Sequence, residues 1–443
     1  MESSGSRAIC HLNHAGASPS PEIVLERVRQ HLELEQKIGG YAAAQAVADE
    51  MNGIYTSIAK LVHAQSSREI ALMGSATIAW TRAFYAIAER QRLEHPRRNV
   101  ILISDAEYAA NVVAVCQWAR NHNWTVLSVP SCTSTIDDGK VVSTGIVDLT
   151  AFESMLSGDY EYTENGSKKI LEPSRIAIAC ITHVPTNSGI VNPVEEMGTL
   201  IRQYNDRHEG KTPMFYLVDA CQSVGQLDVS VERMQCHALA ATGRKYMRGP
   251  RGTGFLYIAE SVLDHLAPSH VDHFGVPVRQ VPTAYKDGDA LQDLIEFAPR
   301  PDARRFEFWE FNAACHLGFG KAAEFAMETS LAKIQADCIR LSSYLRERLN
   351  SIPEMSVHHD GSTTCGIVTF HAGSADPHSL KEKLFAKGFE LSVVPATSTP
   401  LDSAKMSLPN LLRASISYTN TNDEIDLFVE TLASVLPSAK TMA

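Results

Sequence analysis

Met214-Phe215-Tyr216-Leu217-Val218-Asp219 is an unbroken apolar run that ends in a carboxylate. Such a run reads as a buried central strand of an open sheet. The next apolar run, Ala238-Leu239-Ala240-Ala241-Thr242, leads into Gly243-Arg244-Lys245 and then the glycine-rich turn Gly249-Pro250-Arg251-Gly252-Thr253-Gly254. Ligands of open α/β sheets bind outside the carboxyl ends of the strands. Asp219 and Lys245 therefore fall on neighbouring strand ends, at one site. Singly, the aspartate would read as a helix cap or ion-pair partner and the lysine as a solvated loop residue. As a pair they read as chemistry.

Outward from these two runs, further short apolar stretches lie at residues 69–73, 100–104, 125–129, 175–182 and 254–258. Helical periodicity fills 78–89, 109–120 and 193–205 between them. This alternation predicts an α/β fold whose seven strands form one large, mostly parallel sheet with helices on both faces. After about Trp309 the pattern changes to a long helix over 331–349, short strands at 367–370, 390–394 and 412–417, and a closing helix over 423–436. Asn420-Thr421-Asn422-Asp423 has the chemistry of a helix cap. The expected organisation is an N-terminal segment over 1–20, a large domain over 21–310 and a smaller C-terminal α+β domain over 311–443. The polar, glycine-containing stretch 158–173 predicts a surface excursion.

Bulk properties narrow the function. A chain of 443 residues, 44% hydrophobic and 21% charged, suits a globular protein with more than one core. A formal charge of −11 disfavours nucleic acid as a partner, and no apolar run approaches the ~20 residues of a membrane span. Nine cysteines stand singly, with no CxxC pair, which argues against a disulfide framework or a metal site and for a reducing compartment. Met1 to Cys10 lacks a charged region followed by an apolar stretch, so no signal peptide is expected and a cytoplasmic location is.

A lysine beside a carboxylate suits an aromatic aldehyde cofactor: the amine forms the Schiff base and the carboxylate keeps the pyridine nitrogen protonated. Met73-Gly74-Ser75-Ala76-Thr77, between a strand and a helix beginning near Ile78, offers small residues, hydroxyls and free N–H groups to a phosphate. By itself such a turn is often only a cap. Asp105-Ala106-Glu107-Tyr108-Ala109-Ala110-Asn111 follows the strand ending at Ser104 and brings Tyr108 to where it could stack on a flat ring.

Together these residues make the chain resemble the class V members of the aminotransferase fold, the pyridoxal 5′-phosphate (PLP) dependent transferase fold type I. That group includes cysteine desulfurases, isopenicillin N epimerase-like proteins, kynureninases and C–S lyases. The resemblance covers nearly the whole chain and is carried by Val218-Asp219-Ala220-Cys221-Gln222-Ser223, Thr242-Gly243-Arg244-Lys245 and Arg413-Ala414-Ser415. It implies that Lys245 carries PLP, that Asp219 meets the pyridine nitrogen and that Gln222 meets the phenolic oxygen. Ser75, Ala76, Thr77 and Thr242 are the implied phosphate contacts, with Arg244 as a further charge there, and Tyr108 stacks on the ring. Thr186, in the turn from His183 to Gly189, lines the cofactor's other edge. Arg413 grips the α-carboxylate of an amino-acid substrate, a role that suits the bidentate guanidinium. The resemblance also implies a homodimer.

Departures from the desulfurase pattern carry the choice of reaction. Thr186 stands where desulfurases usually have asparagine, and Arg244 replaces the histidine before the lysine. Glu310, in Phe306-Glu307-Phe308-Trp309-Glu310, aligns with a stretch where desulfurases give a threonine to the neighbouring subunit's phosphate; an anion cannot do that, and Trp309 is a candidate for the active-site wall. The loop from Val394 to Ser403 holds no cysteine, whereas desulfurases carry their sulfur-accepting thiol there. Cys365 is the nearest and precedes an apolar strand, which reads as core. The expected activity is a C–S lyase, β-elimination from a cysteine-type thioether, sulfoxide or disulfide. Epimerisation, bond-forming or cyclising chemistry and transamination remain alternatives, because all share the first proton abstraction by Lys245. A retired scaffold would have lost Lys245 or Asp219, and no GxGxxG follows the first strand to favour a nicotinamide enzyme.

Overall fold

The protein was analysed as a computed structural model that describes residues 9–135, 141–207, 213–353, 355–358 and 365–436. Its central sheet has seven strands: β1 Ile70–Met73, β2 Val100–Ser104, β3 Thr125–Val129, β4 Ile176–Thr182, β5 Phe215–Asp219, β6 Ala238–Thr242 and β7 Gly254–Ile258. Their spatial order is β1-β7-β6-β5-β4-β2-β3. All neighbours pair in parallel except β7, which is antiparallel to both β6 and β1. β7 follows β6 through the glycine-rich turn, and so short a return reverses direction. Every residue of β5 and β6 is buried, as the unbroken apolar runs require. β3, at the sheet edge, is mostly half-buried.

The longer helices, each of ten residues or more, are in chain order α1 Glu22–Ile38, α2 Ala48–Leu61, α3 Ala76–Glu94, α4 Ala109–His122, α5 Val194–Asp206, α6 Ala313–Thr329, α7 Leu331–Asn350, α8 Pro377–Ala386 and α9 Asn422–Val435. Strand side chains alternate between two apolar layers, as a period of two demands. Tyr216 and Val218 join Ile58 of α2, Met197 of α5 and Phe319 of α6 on one face. Phe215 and Leu217 join Trp80 and Phe84 of α3 and Trp118 of α4 on the other. Truncating such a buried aromatic costs ~3–5 kcal/mol, so these layers hold the strand ends in place.

The smaller unit has an antiparallel sheet of β8 Met355–His358, β9 Ile367–Ala372, β10 Ser392–Val394 and β11 Leu411–Ser415, ordered β8-β9-β11-β10. The single strand expected at 390–394 is two: Phe389–Glu390 pairs with Cys10–His11, and β10 pairs with β11. α9 starts with a capping box between Thr421 and Glu424. Helix α6 buries Leu317, Phe319 and Ala323 in the large core, while α7 places Ile334 and Cys338 there and Leu341, Leu345 and Leu349 in the small core. We propose that the units divide along α7, downstream of the 310/311 boundary expected from the change of pattern after Trp309. Residues 158–173 include an exposed hairpin, Glu161–Glu164 with Ser167–Ile170.

Candidate active site

The carboxyl ends of β1, β2, β4, β5 and β6 converge on a small cleft. Ser75, Ala76, Thr77, Tyr108, Thr186, Asp219, Gln222, Thr242, Arg244 and Lys245 all line it, with Thr182, Val184 and Cys221. Arg413 stands directly behind Thr186. Ten sequence-derived candidates thus share one wall, and the eleventh is bonded to it.

At the anion end, Ser75 is the N-cap of α3 and its Oγ accepts from Ile78 N at 3.2 Å. Ala76 and Thr77 form the first turn, where backbone N–H groups lack helical partners. β7 crosses close behind: a Cβ on Gly254 would lie 2.6 Å from Ala241 O and 3.1 Å from Ser75 C. Only glycine lets that strand pass and leaves the turn open. Thr242 bonds Thr253 O at 3.2 Å, and Arg244 donates to Gly16 O.

At the floor, Asp219 Oδ2 accepts from Asn111 Nδ2 at 2.8 Å and Oδ1 from Cys221 N at 2.9 Å. Burial pushes its carboxyl above the usual range, against those two hydrogen bonds and the Lys245 charge. Burial also lowers the Lys245 amine, with Arg244 helping, while Cys221 and Asp219 oppose the shift. A lysine so depressed is closer to acting as a base near neutrality.

At the far edge Thr186 is a hub. Its hydroxyl accepts from Gln222 Nε2 at 3.1 Å and from Arg413 Nη1 at 2.7 Å. Gln222 Nε2 also donates to Ala15 O at 3.2 Å, and its Oε1 is buried without a partner among the described residues. Arg413 Nη2 reaches Ser392 Oγ at 3.3 Å, and its Nε is likewise buried and unpartnered. Desolvation lowers this guanidinium to about 10. A buried guanidinium N–H without an acceptor is costly unless a ligand supplies one.

Residues 10–428 match the family model described as aminotransferase class-V. The chain belongs to that family. A probable cysteine desulfurase of Synechocystis is 23% identical over 97% of this class-V chain and 91% of its own length. Among solved structures, the cysteine desulfurase of Thermococcus onnurineus superposes with a TM-score of 0.78 at 18% identity, covering 96% of this chain and 94% of that one. The cystine C–S lyase C-DES superposes with a TM-score of 0.74 at 19% identity, covering 96% and 98%.

Other candidates fall elsewhere. Trp309 is half exposed, stacked on His273 with ring centroids 5.3 Å apart, and is not in the lining of this cleft. Cys365 is fully buried; its Sγ donates to Gly189 O at 3.3 Å and burial pushes the thiol up to about 11, which fits core rather than nucleophile. Sequence reasoning missed Asn13, whose Oδ1 accepts from Ser392 Oγ beside Arg413, and it quoted Glu107 and Asn111 without giving them a role. The N-terminal strap passes next to the site: Ser18 N bonds Arg244 O at 2.8 Å, and Ala15 N bonds Ser415 Oγ at 2.9 Å.

Proposed function

We propose that this chain is a PLP-dependent C–S lyase that eliminates the sulfur substituent from the β-carbon of a cysteine-type amino acid. The carrying observation is the convergence of Lys245 and Asp219 in one cleft, with Arg413 and its unpartnered Nε buried behind Thr186. The residues fit PLP: a lysine and a carboxylate at neighbouring strand ends, an open helix N-terminus that Gly254 leaves clear, and an unpartnered Gln222 oxygen. When bound, PLP supplies the electron sink for carbanion chemistry.

The chain's own residues then have distinct tasks. Ser75, Ala76, Thr77 and Thr242 hold the phosphate with Arg244 near it, and Tyr108, 41% exposed at the cleft, covers the ring. Asp219 holds the ring nitrogen's proton, and Gln222 and Thr186 border the phenolic oxygen. Arg413 orients the α-carboxylate through its free Nε edge, a charge-assisted contact. Lys245 would hold the cofactor, and its amine is the group placed to take the proton from the substrate's Cα. The sulfur departs as a thiol from a thioether, as a sulfenic acid from a sulfoxide and as a persulfide from a disulfide, and one water is consumed in giving pyruvate and ammonia.

Elimination is favoured over persulfide relay by the loop before β11. It contains no cysteine from Val394 to Ser403. It is also tied to the large unit: Lys405 Nζ lies 2.6 Å from Asp105 Oδ2, Asp402 N bonds Asp105 O at 3.0 Å, and Asn187 Nδ2 bonds Pro395 O at 3.0 Å. A loop pinned at three points is poorly suited to carrying sulfur away.

We also propose a homodimer. Phe311 is exposed at a second cleft lined by Met73, Gly74 and Ile78, the back of the phosphate turn, and with Tyr41 and Trp309, also exposed, it lines a neighbouring cleft. A cytoplasmic location is part of the same reading; no helix among the described residues is long and apolar enough to cross a membrane.

The test is a coupled pyruvate assay over S-substituted cysteines and their sulfoxides, run on protein reconstituted with PLP. Wild type should turn yellow and yield pyruvate, ammonia and the sulfur fragment, and Lys245→Ala, though able to hold PLP through the phosphate contacts, should yield none of these products. Cα proton exchange, cyclisation or keto-acid formation without pyruvate would replace the lyase by another class-V reaction.

A further inference from the structure

Behind Asp219 stands a second carboxylate to which the proposed function gives no task. Glu107 sits in the turn between β2 and α4 and is fully buried. Its Oε1 accepts from Asn111 Nδ2 at 2.7 Å and from the Thr182 hydroxyl. Its Oε2 accepts from Ser104 Oγ at 2.9 Å and from Thr182 N at 3.0 Å. A carboxylate offers about four lone-pair positions, and here each meets a donor. Two of those donors cannot turn away: the backbone N–H of Thr182 on one oxygen and the Asn111 amide on the other. These contacts favour the ionised form of Glu107, against its burial.

The other hydrogen of the Asn111 amide goes to Asp219 Oδ2 at 2.8 Å. One NH₂ group therefore joins two buried carboxylates from elements far apart in the chain. The amide orientation is unambiguous, because its oxygen could not sit between two anions. With Cys221 N on Oδ1, Asp219 is held from both sides and faces the cleft in one orientation. No cation is among the groups that act on Glu107, and burial with the Asp219 charge raises its carboxyl to about 7. Among the described residues no group of three or more His, Cys, Asp or Glu is arranged to hold a metal. Two buried negative charges need a positive one nearby. The protonated ring nitrogen that Asp219 would meet is such a charge.

We infer that Glu107 and Asn111 are positioning residues that lock Asp219 and place a second negative charge behind the ring nitrogen of bound PLP. The inference rests on the PLP reading and goes beyond it by assigning a role to residues that never touch the cofactor. The competing possibility is that Glu107 only staples the ends of β2 and β4 through Ser104 and Thr182.

The experiment uses PLP labelled with ¹⁵N at the ring, bound to wild type, Glu107→Gln and Asn111→Ala, with ring-nitrogen protonation followed by NMR against pH. Asn111→Ala leaves Glu107 and its strand contacts intact, so it serves if Glu107→Gln folds poorly. Both variants should lower the pH at which the ring nitrogen loses its proton by about one unit, a tenfold change in proton affinity. PLP should also dissociate several-fold faster from both. If the variants only melt earlier and the ring titrates as in wild type, the staple explanation holds and the inference is wrong. Wild type that fails to bind PLP would instead overturn the proposed function itself, which separates the two failures.

Discussion

Asp402 offers a test of how the thiol-free loop is held. It lies in the short helix Pro400–Met406, is fully buried, and neither carboxyl oxygen has a hydrogen-bond partner among the described residues. Burial, then the negative charge of Asp105, raise its pKa from the ordinary 3.8 to about 6, with Lys405 opposing. An acid whose pKa is higher folded than unfolded binds protons more tightly in the folded state. Below about 4 both states are protonated and there is no cost. Between about 4 and 6 the unfolded state ionises first, so stability falls as pH rises; above 6 the full cost is present. Two pKa units correspond to ~3 kcal/mol, an upper figure because a buried asparagine amide also lacks partners. Asp402→Asn should therefore be more stable than wild type by ~1–3 kcal/mol at pH 7.5, with the gain shrinking towards zero near pH 4. Thermal unfolding of both proteins in matched buffers from pH 4 to 8 measures the difference. A difference that does not change with pH, or a variant less stable at pH 7.5, would falsify the claim that this carboxylate is buried unpaired.

Arg413→Ala removes the guanidinium proposed to hold the substrate's carboxylate; kcat/KM should fall ~10–150-fold, from a contact of ~1.5–3 kcal/mol, with cofactor absorbance little changed. Unaltered kinetics would mean that the carboxylate is held elsewhere. Cys365→Ser keeps a donor for Gly189 O and should retain activity, with a stability change of about 1 kcal/mol measured by denaturant titration; loss of turnover in a well-folded variant would restore a catalytic thiol. Sedimentation should find a dimer, and Trp309→Asp should weaken it; an active wild-type monomer would refute the assembly.

The central strands were legible because β5 and β6 are covered on both faces, and that demands unbroken apolar runs, which show in one dimension. Asp219 and Lys245 were legible for the same reason, since each directly ends or follows such a run. Other elements left weaker marks. α1 was not anticipated because it buries only Val24 and His31, so its apolar face is thin. Its place against α6 depends on Gly318, where a Cβ would lie 2.6 Å from Val28 Cγ2.

What the sequence by itself determined was the α/β architecture, the strand ends that meet at the cleft and the residue types gathered there. The tertiary structure decided which side chains hold one another. Nothing in local pattern says that Asn111 bonds both Glu107 and Asp219, or that Thr186 joins Gln222 to Arg413. It likewise decided that the strap at Ala15 and Gly16 closes the site's edge. Periodicity records which face of an element is buried, because burial acts on each element through its own residues. A hydrogen bond between distant residues depends on the separation and angle of two atoms, and those exist only once the strands and helices have packed.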